Sequence, residues 1–262
     1  MVSSPRELAA LLGGSPLVIM LDIDGTLCDI VEKPGDACVP PHASNVLREL
    51  NKLVDKDVHV ALVTGRSVAD ARRMIGFDGV VIYGNHGSER ASRSGTVRAP
   101  DGWKAVEQVV STAAAAIADV TRDFPGARLE DKRYSLSLHY RDIAMSREAE
   151  LHERVAEATR DMGVVVANGK CVLNVTPQGV PDKGDAALEV LASVAGGGTA
   201  NSSVLFAGDD VTDEDAFVAL RQLPDAVTVR VGESARPTAA RFSLRSPSEV
   251  HRLLDMLLAA RA

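Results

Sequence analysis

A chain of 262 residues, 45% apolar and 25% charged, is long enough for one large α/β domain or a core with a smaller lid, and its composition is that of a globular protein. A net charge of −7, only 3% aromatic residues and no long basic run argue against a nucleic-acid partner, and a negative protein that takes a negative ligand needs a local cation patch or a metal. Three cysteines without CxxC spacing fit a reduced protein better than a disulfide framework or a zinc site, and with no apolar run of membrane length and no signal-peptide pattern a cytoplasmic protein is expected.

In chain order, short Val/Ile/Leu runs alternate with stretches of helical periodicity. Buried strands are predicted over Leu17–Leu21, Val58–Val63, 79–83, 204–207 and Val227–Val231, and helices over 42–54, Val68–Ile75 and 184–193. Strand–helix alternation of this kind predicts a doubly wound parallel sheet with crossover helices. The middle third breaks the pattern. An Ala-rich helix over 103–122 is followed by strands over 127–130 and 134–141, a charged helix over 146–162, and two strands over 164–167 and 171–175. Asn168-Gly169 between the last two favours a type I′ hairpin turn. The expected organisation is therefore an α/β core, residues 1–102 plus 181–262, with an inserted α+β cap over 103–180. Gly196-Gly197-Gly198 is expected to be a loose connection within the core.

The first strand ends in Asp22-Ile23-Asp24-Gly25-Thr26-Leu27. Residues two apart in an extended chain share a face, so Asp22 and Asp24 converge while Ile23 points away. Such carboxylates repel unless a cation or a shared proton relieves them. A second apolar strand, 204–207, runs into Gly208-Asp209-Asp210-Val211-Thr212-Asp213-Glu214-Asp215, five acids within seven residues. These need a cation or a helix N-terminus, and magnesium prefers hard oxygen ligands of this kind. Thr64, after the second strand, reads on its own as a helix cap, and Lys183 as a solvated lysine.

The D-x-D-G-T run after an apolar strand resembles the first motif of the haloacid dehalogenase superfamily. That resemblance implies Asp22 as nucleophile, Asp24 as general acid/base, Thr64 as a phosphoryl ligand and Lys183 as the neutralising cation. It implies Mg2+ held by Asp22, Asp209 and the backbone carbonyl of Asp24, with Asp213 a ligand or a partner of one. Arg66 is then a candidate for substrate or phosphate contact, and Glu214 and Asp215 are first-turn helix acids.

Within the superfamily the chain is most similar to the trehalose-6-phosphate phosphatases. The matching runs include Thr64-Gly65-Arg66-Ser67, Gly84-Asn85-His86-Gly87-Ser88-Glu89, Glu130-x-Lys132, His139-Tyr140-Arg141, Gly169-Lys170, Asp182-Lys183-Gly184 and Gly208 to Phe217. The resemblance implies that Glu130, Lys132, His139 and Arg141 contact a sugar phosphate, with Asn85 and His86 nearby. Asn174 stands where that family carries an acidic residue that grips sugar hydroxyls. An amide still forms two-sided hydrogen bonds. Two alternatives stay open: a phosphatase of another sugar or glycosyl-glycerate phosphate, and a catalytically silent sugar-phosphate-binding partner of a synthase. A dinucleotide enzyme is disfavoured, because no G-x-G-x-x-G follows the first strand.

The Tyr134–Arg141 stretch alternates, with Tyr134, Leu136, Leu138 and Tyr140 on one face and Ser135, Ser137, His139 and Arg141 on the other. The polar face is expected either to meet water or to grip a polyhydroxylated ligand.

Overall fold

The computed structural model describes residues 3–31, 34–99, 102–169, 171–194, 202–233 and 236–261. Lys170 and the glycine run 196–198 lie outside the described residues. The chain forms two compact units, 1–98 with 181–262, and 99–180.

The larger unit begins with helix α1 (Pro5–Leu11), capped by Ser4 and Glu7 in a reciprocal capping box with Pro5 in its first turn. Then come strand β1 (Leu17–Leu21), helix α2 (Pro41–Lys52), β2 (Val58–Val63), α3 (Val68–Ile75), β3 (Val81–Gly84), β4 (Glu89–Ala91) and β5 (Val97–Arg98). After the insert the unit resumes with α6 (Lys183–Val194), β10 (Ser203–Gly208), α7 (Asp213–Ala219), β11 (Val227–Val231), β12 (Phe242–Leu244) and α8 (Pro247–Arg261).

The sheet order is β12-β11-β10-β1-β2-β3-β4-β5. The first six strands are parallel, and β4 and β5 run antiparallel at one edge. The chain leaves β1 toward β2 and β3 on one side and later fills β10, β11 and β12 on the other. β1 is therefore the switch point, and open α/β sheets bind ligands beyond the carboxyl ends of such strands.

The sheet is covered on both faces, which is why its central strands are continuous apolar runs. On β1, Leu17, Ile19 and Leu21 pack with Leu8, Leu47, Ile75 and Leu253 of α1, α2, α3 and α8, whereas Val18 and Met20 pack with Ala187, Val190 and Phe217 of α6 and α7. Period-two alternation then carries Asp22 onto the face of α6 and α7. No helix among the described residues is long and apolar enough to cross a membrane.

The insert contains α4 (Trp103–Thr121), β6 (Arg128–Asp131), β7 (Leu136–His139), α5 (Glu148–Thr159), β8 (Val164–Asn168) and β9 (Val172–Pro177). Its four strands form an antiparallel sheet in the order β6-β7-β9-β8. Leu136, Leu138, Leu173 and Val175 pack against Ala113, Ile117, Leu151 and Val155 of α4 and α5 in a core of their own. At the start of α4, the Arg133 guanidinium lies 5.3 Å from the Trp103 ring and 5.2 Å from the Tyr134 ring, and it pairs with Glu107.

The turn joining β8 and β9 differs from the two-residue hairpin expected at Asn168-Gly169. Asn168 is a strand residue paired with Leu173, Gly169 N donates to Val172 O at 2.8 Å, and Cys171 takes the left-handed conformation at φ 56°. The turn is thus displaced along the chain past the Asn-Gly pair, closing between Gly169 and Val172 with a positive φ on Cys171.

Candidate active site

β1 delivers Asp22 with 4% of its surface exposed. The chain then turns back tightly, with Leu27 N and Cys28 N both donating to Ile23 O and Gly25 N donating to Cys28 O. Gly25 has φ 76°, and a Cβ there would run into the Asp209 carboxylate. This glycine therefore lets the turn after β1 close against the end of β10.

Asp22, Asp209 and Asp213 each present an oxygen within 4.8 Å of the others, and all three are buried. Lys183 Nζ lies 3.1 Å from Asp22 Oδ1 and 2.7 Å from Asp213 Oδ1, with 2% of its side chain exposed. A lysine at a helix N-terminus opposes the helix dipole, and a buried one costs solvation. Its place at the first residue of α6 is explained by the two carboxylates it bridges. Burial disfavours its ammonium, but Asp213 and then Asp22 outweigh that and keep it protonated well above its ordinary pKa.

Burial pushes the Asp22 carboxyl well above the usual range; Lys183 opposes the shift, and Asp213, Asp209 and Asp24 add to it. Asp213 also anchors the loop after β10, its Oδ2 accepting from Asp210 N at 2.9 Å. The donor set is hard oxygen throughout, and the crowding of negative charge persists despite Lys183. These residues therefore fit a divalent oxygen-seeking cation such as Mg2+. Asp215, two residues on, is raised to about 6, mainly by burial and then by Asp182.

Asp24 faces a different partner. Arg66 Nε and Nη2 meet its two carboxylate oxygens at 2.7 and 2.6 Å, a bidentate pair that fixes the carboxylate's orientation. Thr64 is buried at the end of β2, and its Oγ1 accepts from Arg66 N at 3.2 Å. The structure thus brings Asp22, Asp209, Asp213 and Lys183 together, and joins Asp24 to Arg66.

Asn85 and His86 follow β3. Asn85 is buried, its Nδ2 donating to Glu89 Oε2 at 3.3 Å, and His86 is half-buried. Glu214 has a tie its sequence position did not announce. Its carboxylate accepts from Arg230 on β11 at 3.0 Å and from Ala239 N at 2.6 Å, linking α7 to the segment after β11. The available signal was an arginine inside a strand of buried residues.

In the insert, Glu130, Ser137 and Asn174 are cross-strand neighbours on β6, β7 and β9. Ser137 Oγ donates to Asn174 Oδ1 at 3.1 Å, and His139 Nε2 lies 2.9 Å from Glu130 Oε2. Ser135 and Ser137 are 2% exposed, so this face does not simply meet water. Lys132 sits in the turn between β6 and β7, its N donating to Ser135 O, and Arg141 is exposed just after β7.

A parallel sheet with acids at its switch point and an α+β insert defines an α/β protein of the haloacid dehalogenase type. Solved structures share the fold. The C-terminal domain of Candida albicans trehalose-6-phosphate phosphatase matches with a TM-score of 0.84 at 21% identity, over 98% of this chain and 97% of that one. A trehalose-6-phosphate phosphatase related protein matches at 0.74 and 26% identity, over 92% and 97%. Residues 20–248 match the trehalose-phosphatase family model, and the chain belongs to that family.

The trehalose-phosphate phosphatase of Mycobacterium bovis is 35% identical over 240 residues, which are 91% of this chain and 60% of the relative. That of Mycobacterium marinum is 34% identical, over 88% and 59%. The chain thus spans about 60% of the length of the curated phosphatases it matches. An uncharacterized glycosyl hydrolase of Mycobacterium tuberculosis is 34% identical over 255 residues, with this chain spanning 19% of it.

Proposed function

We propose that this protein is a cytoplasmic Mg2+-dependent phosphatase that hydrolyses trehalose-6-phosphate to trehalose and phosphate through an aspartyl-phosphate on Asp22. The observation that carries this reading is the Asp22 carboxylate, buried at the switch point between Lys183 and two further carboxylates in a member of the trehalose-phosphatase family.

An Asp22 oxygen forms a bond to phosphorus as the bond to the sugar oxygen breaks, and Asp24, released from its bidentate pair with Arg66 and protonated when substrate is bound, gives its proton to that oxygen. Asp24 then takes a proton from water, whose oxygen bonds to phosphorus as the Asp22–phosphorus bond breaks. Arg66 orients Asp24 between these steps, while Thr64 and Lys183 hold the phosphoryl oxygens. Asp22, Asp209 and the Asp24 carbonyl, with Asp213 as a further ligand or a partner of one, would hold Mg2+, which would offset charge on the phosphoryl group. The insert 103–180 is read as the substrate-specificity domain, with Glu130, Lys132, His139, Arg141 and Asn174 on the sugar.

Magnesium that binds only the native protein stabilises it by mass action, by about 2.7 kcal/mol at a hundredfold excess over Kd. Thermal unfolding with and without Mg2+ is expected to show this gain in the wild type and to lose it in Asp209→Asn. An equal gain in the variant would remove Asp209 from the ligand set.

A second reading, hydrolysis of another sugar or glycosyl-glycerate phosphate, is favoured by Asn174. Its Oδ1 is engaged by Ser137, so the position offers a neutral amide where a carboxylate would repel an acidic substituent. Phosphate release with and without Mg2+ from trehalose-6-phosphate, glucose-6-phosphate, sucrose-6-phosphate and mannosylglycerate phosphate separates the two. Preference for trehalose-6-phosphate supports the first reading, and preference for the glycerate supports the second. No single-turnover release from any of them would favour a silent sugar-phosphate-binding partner.

A further inference from the structure

The turn between β3 and β4 contains two consecutive left-handed residues that are not glycine, Asn85 at φ 48° and His86 at φ 59°. Side chains resist that backbone conformation, and it persists only where the surroundings hold it. Both residues are held by the loop that carries Thr64. Asn85 N donates to Arg66 O at 2.8 Å and His86 N to Thr64 O at 3.0 Å, while Thr64 N donates to Tyr83 O at 2.8 Å. The His86 ring lies against the bare Cα of Gly65, where a Cβ would stand 2.5 Å from Cε1 and 2.8 Å from Nε2. Glu89 ties the same two segments, accepting from Val68 N at 2.8 Å and from Asn85 Nδ2.

The far side of the turn meets the approach to Lys183. A Cβ on Gly87 would strike the Asp182 carbonyl, and Ser88 Oγ donates to Pro181 O at 3.4 Å. One strained turn is thus packed between the Thr64 loop and the segment that enters α6.

We propose that Asn85 and His86 are positioning residues for the phosphoryl-binding groups rather than contacts to the sugar. Their left-handed turn sets the separation between the Thr64 hydroxyl and the Lys183 ammonium. This rests on the reading that Thr64 and Lys183 hold the phosphoryl group. Because the turn acts on the phosphate end, its disturbance affects every phosphate monoester alike.

The test compares trehalose-6-phosphate with p-nitrophenyl phosphate, which carries no sugar. His86→Ala and Asn85→Ala are expected to lower kcat/KM by about 10- to 100-fold on both substrates, and to weaken inhibition by inorganic phosphate by a similar factor. A loss confined to trehalose-6-phosphate would make these residues sugar contacts and overturn the proposal.

Gly65→Ala drives a methyl group into the His86 ring and should lower activity on both substrates, by a smaller factor in the His86→Ala background than in the wild type. Losses that simply multiply in the double variant overturn the interlock. The same four proteins are compared by urea midpoint without substrate, where Gly65→Ala should cost less in the His86→Ala background; additive losses overturn the proposal. A wild type that hydrolyses neither compound refutes the phosphatase reading itself, while the urea series still decides the interlock.

Discussion

Asp22→Asn is expected to abolish turnover, a loss of about 10^4-fold or more, and to leave the fold intact. The amide keeps the shape of the carboxylate but cannot form the acyl phosphate. The same substitution has an expected effect on stability, and its sign follows from burial. The Asp22 carboxyl titrates well above its ordinary value in the folded protein. A group raised in this way contributes stability while it is protonated, and that contribution is lost as pH rises from about 4 through the raised value. The amide that replaces it has nothing to ionise. Without divalent metal, the variant is therefore expected to be at least as stable as the wild type at neutral pH, and to lose less stability between pH 4 and neutrality. Urea midpoints at the two pH values test this. Turnover within tenfold of wild type would remove Asp22 from the nucleophile role, and a lower metal-free midpoint would contradict the electrostatic account.

Lys183→Met is expected to cost about 3–5 kcal/mol, because it strips the ammonium from two buried carboxylates and leaves their charge without its compensation. Methionine fills much of the same volume, so the loss reads charge rather than a cavity. Turnover should vanish with it. Lys183→Arg should not restore function, since a planar guanidinium cannot occupy the space of a point charge at a position 2% exposed. Denaturant unfolding measures the first effect and phosphate release the second. A stability change below about 1 kcal/mol would show that the carboxylates are neutralised in some other way.

Much of this arrangement is legible in the sequence because buried parallel strands leave a simple trace. Leu17–Leu21, Val58–Val63 and Val227–Val231 have the bounds that their apolar runs predict. The acids Asp22, Asp209 and Asp213 stand out because apolar runs rarely end in such clusters. What the pattern misses is of three kinds. Helix α1 is marked only by Ser4, Pro5 and Glu7, a capping signal that needs no strand beside it. The 134–141 run shortens to Leu136–His139, the span paired in register with β6 and β9, although the alternation runs on beyond it. The Arg66–Asp24 pair joins residues 42 apart, and the tie from Glu214 to Arg230 and Ala239 spans two elements. Such contacts depend on side-chain direction at the carboxyl edge of the sheet, which residue type alone does not carry.

Trp103 is the only tryptophan in the chain, and it opens the insert with its ring against the Arg133 guanidinium. Intrinsic indole emission therefore reports on the 99–180 unit alone, whereas far-ultraviolet dichroism sums the helices and strands of both units. Melting curves recorded by the two signals coincide if the units unfold as one and separate if the insert, with its own apolar core, melts by itself. The protein thus carries a built-in, label-free probe of its smaller unit, and no fluorophore has to be added to follow it.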